Sequence, residues 1–144
     1  MTLRIEPKNT KGDTILYQLA KELGIPGEYT EAARALRWVL HSIRDHTDKK
    51  NSYRILAYLP TYMRVVYVDQ WDHLNDEITP RVPPASLTNL LDENIRPADI
   101  VKAVLKIIGT NITYADWEEI YNCLPEYFKD IIIEEAIQQR KDKI

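Results

Sequence analysis

Residues 35–68 align without a gap on residues 100–133, at a constant offset of 65. Seven positions are identical: Val39/Val104, Leu40/Leu105, Ile43/Ile108, Ile55/Ile120, Leu59/Leu124, Pro60/Pro125 and Tyr62/Tyr127. About two would coincide by chance at average residue usage. Leu36/Val101, Met63/Phe128, Arg64/Lys129, Val66/Ile131 and Val68/Ile133 are conservative pairs between them. A chain that carries one apolar spacing twice is constrained to build one packed unit twice. The repeated positions are mostly apolar, so the duplication specifies packing and no reactive site.

The period of that pattern is helical. Ala32, Leu36, Val39, Leu40 and Ile43 share one face at about 100° per residue. Ile15, Leu16, Leu19 and Leu23 mark an earlier helix, with Asp13 as its N-cap and Gly24 as its C-cap. Thr30 is the expected cap of the second helix, and Thr47 or Asp48 of the third. Pro60 and Pro125 suit the first turn of a helix, where a missing N–H is harmless. The fourth segment, 61–70, contains Val65-Val66-Tyr67-Val68, which has strand propensity. The helical flanks of its counterpart, Ile131-Ile132-Ile133, assign both to helix. Residues 72–85 contain three prolines and read as an extended crossover. Beyond it come a short helix at 86–93, one from Pro97 to near Gly109, one capped by Thr113 with Asp116 three residues on, and one from 125 to about 141. The expectation is an all-α, single-domain bundle of about eight helices spanning 1–144. It comprises two pseudo-symmetric four-helix repeats, about 13–71 and 86–141.

A chain of 144 residues with 44% apolar and 28% charged side chains can bury a core without staples. The lone Cys123 has no intramolecular disulfide partner, and no apolar run is long enough to span a bilayer. A cytoplasmic location is the expectation. The net charge is −3, with the first half net basic and the second net acidic. That balance fits nucleic acid poorly, because such binding rests on phosphate neutralisation.

Arg34-Ala35-Leu36-Arg37-Trp38-Val39-Leu40-His41-Ser42-Ile43-Arg44-Asp45 resembles the signature helix of the bacterial proteins called domain of unknown function 2267. Leu59-Pro60, followed by Tyr67-Val68-Asp69-Gln70-Trp71-Asp72, is similar to that family's second landmark. The resemblance covers about residues 13–137 and implies a small all-helical bacterial protein. It brings no reaction, cofactor or catalytic residue.

Arg34, Arg37, His41 and Arg44 recur at i, i+3, i+7 and i+10, within an arc of about 80° nearly opposite the apolar face. With Trp38 at its edge, this stripe is the candidate partner-binding surface, suited to an acidic segment or a phosphate. The plainer reading is a solvated helix face, or pairing with the acidic second half. Asp99, Lys102, Lys106 and Gly109 stand at the corresponding positions. His41, Asp45 and His73 are the alternative metal-binding set, although no Glu-x-x-His or Cys-x-x-Cys pair supports it. The many tyrosines, among them Tyr58, Tyr62, Tyr67, Tyr121 and Tyr127, with Trp71 and Trp117, suit a groove between repeats. Equally, each ring packs its body inward and leaves its hydroxyl in water. No nucleophile elbow or phosphate-cradling loop is present, and Cys123 reads as a buried structural thiol. The expected role is therefore noncatalytic: a binding or regulatory module for another protein or for a second copy of itself. The alternative is a small-molecule or metal-binding protein with a cleft between repeats.

Overall fold

The computed structural model describes residues 12–71 and 95–132. Within them the chain forms α1 (Gly12–Glu22), α2 (Tyr29–Asp45), α3 (Lys49–Tyr58), α4 (Thr61–Val68), α5 (Pro97–Thr110), α6 (Tyr114–Cys123) and α7 (126–132). No strand occurs among the described residues. Val65 and Val66 lie inside α4, because packing of a short helix on its neighbours outweighs β propensity. The crossover at 72–85, the short helix at 86–93 and the chain beyond 132 lie outside the described residues.

Helix ends follow local chemistry, with two departures from expectation. Asp13 sits in the first turn of α1 and is not its N-cap; its carboxylate still faces the positive end of the helix dipole. Helix α2 begins at Tyr29, one residue before Thr30, behind Glu28, which makes no side-chain cap bond. Gly24 does end α1. Its φ of +77° is open to glycine at no steric cost. The Gly24 N–H donates to Lys21 O and the Ile25 N–H to Ala20 O, the paired bonds of a Schellman turn. Asp48 caps α3 by accepting from the Asn51 N–H at 2.9 Å, and Thr113 caps α6 by accepting from the Asp116 N–H at 3.1 Å. Pro97 occupies the first turn of α5, and the Asp99 carboxylate there accepts from the Arg96 backbone N–H. The Arg96 guanidinium also binds Asp99 and holds its carboxyl below the usual range.

Several of these features recur at the offset of 65. Helices α3 and α6 start and end 65 residues apart, as do their caps Asp48 and Thr113. His46 and Asn111 end α2 and α5 in nearly one conformation, φ −103° with ψ 4° and 9°. Both turn a side-chain N–H back onto the helix: His46 Nδ1 donates to Ser42 O and Asn111 Nδ2 to Ile107 O, each at 2.7 Å.

The core gathers the matched apolar pairs. Leu40 and Leu105, Ile43 and Ile108, Ile55 and Ile120, Leu59 and Leu124, and Met63 and Phe128 are all buried. Each such side chain gains roughly 1.5–3 kcal/mol on leaving water. Helix α2 packs on α1, α4 and α5, and α3 lies along α6. At the exposed edge of that last contact Arg54 pairs with Glu119 at 3.2 Å, again between positions 65 apart. Cys123 is buried, as its apolar register predicts.

The two halves solve one packing problem differently. Where the first has Arg44 and Ser52, the second has Gly109 and Trp117, with the Trp117 ring lying against Gly109. In the first half the small residue is polar: the Ser52 hydroxyl, fully buried, is hydrogen-bonded to the Tyr67 hydroxyl. Tyr67 is itself fully buried, so its hydroxyl does not reach water as the sequence pattern suggested. Burial pushes that phenol well above its ordinary range and keeps it protonated.

Candidate functional site

The stripe on α2 is divided between two tasks. Helix α4 has only eight residues, and its last carbonyls have no intrahelical partner. Side chains of α2 supply the donors. His41 Nε2–H donates to Val66 O at 2.7 Å. Arg44 Nη1 donates to Tyr67 O and to Asp69 O, each at 2.8 Å. The Trp71 N–H donates to Val68 O, so every carbonyl from Val66 to Asp69 has a donor. Arg37 adds an ion pair with the Asp69 carboxylate. Three cationic or titratable groups are thus placed at the negative end of a helix dipole.

Burial separates these groups. Arg44 is only 7% exposed and also contacts the Asp45 carboxylate through Nε at 3.4 Å. Among the described residues its partners lie in the first half of the chain, and none lies in the acidic second half. Trp38 is half-buried against the core. Arg37 keeps much of its side chain in solvent, and Arg34 is exposed with no ion pair among the described residues.

His41 is held neutral. Desolvation lowers its pKa from 6.5, and the nearby Arg44 and Arg37 lower it further, against the opposing hydrogen bond to Val66. Between the native pKa and 6.5 the unfolded chain binds more protons than the native one, so stability rises with pH there. This contribution is full above pH 6.5 and is lost as pH falls toward the native pKa. Urea midpoints measured at pH 7.5 and 5 are expected to fall on acidification. His41→Gln, whose amide N–H can still reach a carbonyl, is expected to show the smaller fall; an equal fall in both proteins would contradict the assignment.

Arg34 and Arg37 flank a groove of about 460 Å³ between α1, α2 and α4. Its walls are Leu16, Tyr29, Thr30, Ala33 and Val66, giving an apolar floor with two guanidiniums at one side. Of the five residues in the sequence-derived surface, the groove gathers Arg34 and Arg37; Trp38, His41 and Arg44 lie elsewhere. Tyr29 and Ala33 precede Arg37 at spacings of eight and four, a helical signal legible in advance. Leu16 and Val66 join only through tertiary packing. Of the alternative metal set, His41 is bonded to Val66, Asp45 neighbours Arg44, and His73 lies outside the described residues. No group of three or more His, Cys, Asp or Glu side chains able to hold a metal occurs among the described residues. No described helix is long and apolar enough to cross a membrane.

The fold and this surface define an all-helical protein with a cationic, apolar-floored groove. Over residues 12–131 the chain matches the family described as uncharacterized conserved protein (DUF2267), and it belongs to that family. No curated protein matches it.

Proposed function

We propose that this protein is a noncatalytic binding module, built from two copies of a four-helix unit and acting in the cytoplasm, that recognises another protein. The recognition surface is the α1–α2–α4 groove with Arg34 and Arg37. The observation that carries this reading is Arg34: a guanidinium exposed beside an apolar floor, on a helix whose other basic residues are engaged by the protein's own α4. Guanidinium groups bind carboxylates in a planar fork, and the floor accepts aliphatic or aromatic side chains. The matching partner is a short amphipathic segment with acidic residues beside apolar ones, seated as a helix in a groove.

Selection from a displayed peptide library tests this. Enriched sequences are expected to carry Asp or Glu next to Leu, Ile or Phe. Arg34→Glu is expected to weaken a selected peptide by about tenfold or more, since like charge then faces like charge. Lys102→Glu, at the position matching Arg37 in the second half, is expected to leave binding unchanged. Enrichment without acidic residues, or equal binding by Arg34→Glu, would discard the groove.

A further inference from the structure

Arg37 serves two neighbours at once. It lines the groove beside Arg34, and its Nη1 pairs with the Asp69 carboxylate at 2.5 Å. Asp69 is fixed for that contact. It is the C-cap of α4, its backbone N–H donates to Val66 O, and its own carbonyl is held by Arg44. Val66, three residues earlier, is part of the groove wall. A carboxylate of the protein therefore stands against one of the two guanidiniums of the groove, while Arg34 has no ion pair among the described residues. The Arg37 and Asp69 side chains are 41% and 48% exposed, and an ion pair so open to solvent adds little to stability. Its larger consequence is for the charge that the groove presents.

We propose that Asp69 is the specificity-determining residue of this groove. By occupying Arg37 it leaves Arg34 as the guanidinium that meets the ligand, which suits the site to a single carboxylate in place of a phosphate or a pair of adjacent acids. The inference rests on the groove reading above and names the charge of the group the groove takes. Two free guanidiniums side by side would favour phosphate, whose oxygens accept from several donors. Asp69 works against that outcome. It repels each unit of ligand charge alike, and near neutral pH a phosphate carries about two such units where a carboxylate carries one.

Heptanoate and hexyl phosphate test this, because they bring the same alkyl chain to the apolar floor and differ in the head group. Both are titrated into the full chain at pH 8, above the second phosphate pKa of about 6, and at low ionic strength, where surface charge is least screened. NMR signals of the arginine side chains and of the α2 amides follow the binding. In the wild type, heptanoate is expected to move the Arg34 signal and leave that of Arg37 nearly in place. Asp69→Asn removes the charge and keeps the side-chain shape. It is expected to tighten heptanoate roughly threefold, the effect of one unit charge a few ångströms away in water, and hexyl phosphate roughly tenfold, the square of that factor for twice the charge. Asp69→Glu keeps the charge and is expected to bind both probes as the wild type does. A purely structural role of Asp69 would change both probes by one common factor. Equal factors for the two probes in Asp69→Asn, or no change in either, would overturn the proposal and leave the groove standing. Failure of both probes to move Arg34 or the α2 amides would overturn the groove, and this proposal with it.

Discussion

Replacing Arg44 with alanine is expected to lower stability by about 3 kcal/mol or more and the melting temperature by about 10 °C. The change leaves the buried Tyr67 O and the partly buried Asp69 O without the donor that now serves both. It also leaves the Asp45 carboxylate without its neighbouring cation. An unmet buried carbonyl costs about 1–3 kcal/mol, and breaking a buried ion pair costs more. Arg34→Ala, ten residues earlier on the same stripe, is expected to change stability by no more than about 0.5 kcal/mol, as exposed substitutions do. Thermal melts followed by circular dichroism check both. Equal losses in the two variants would show that the stripe is not divided as described. Because Arg44 is structural, its charge reversal cannot serve as a probe of binding, whereas that of Arg34 can.

The second large effect is expected at Tyr67. Truncation to alanine empties the space of a fully buried ring between α3 and α4, and losses of about 3–5 kcal/mol are usual for such a cavity. The more informative change is Tyr67→Phe. It keeps the ring and its edge contact with Trp71, 6.0 Å between centroids, but strands the buried Ser52 hydroxyl. A loss of about 1–3 kcal/mol is expected. Adding Ser52→Ala removes both polar partners together and is expected to recover most of it. Chemical denaturation of the two single variants and the double variant closes the cycle. Additive losses would contradict a direct hydroxyl–hydroxyl bond.

Both effects lie where the sequence pattern was least informative. Helical periodicity put Arg37, His41 and Arg44 on one face of α2, nearly opposite the apolar face, yet Arg44 is buried and the stripe turns onto the end of α4. What lies across from that face depends on tertiary packing. The C-terminal carbonyls of α4 carry no sequence signature, because every residue type has one. The net charges of the halves pointed to the acidic second half as a partner; among the described residues, the partners of Arg37, His41 and Arg44 are backbone oxygens, Asp45 and Asp69 of the first half. Capping was legible where a side chain or glycine did the work, at Gly24, Asp48, Pro97 and Thr113. It misled at Thr30, where the helix starts two residues early, behind Glu28, without a side-chain cap. The approach of Trp117 to Gly109 likewise emerges only once the residues are seen to be neighbours.

The account turns on one claim: a single basic stripe holds α4 at one end and faces solvent at the other. Nitrogen-resolved NMR of the arginine side chains tests it most directly. Arg44 is expected to show separate, slowly exchanging guanidinium protons, fixed by its bonds to Tyr67 O and Asp69 O. Arg34 is expected to show a single averaged, solvent-exchanging set. Averaged signals from both arginines would contradict the account.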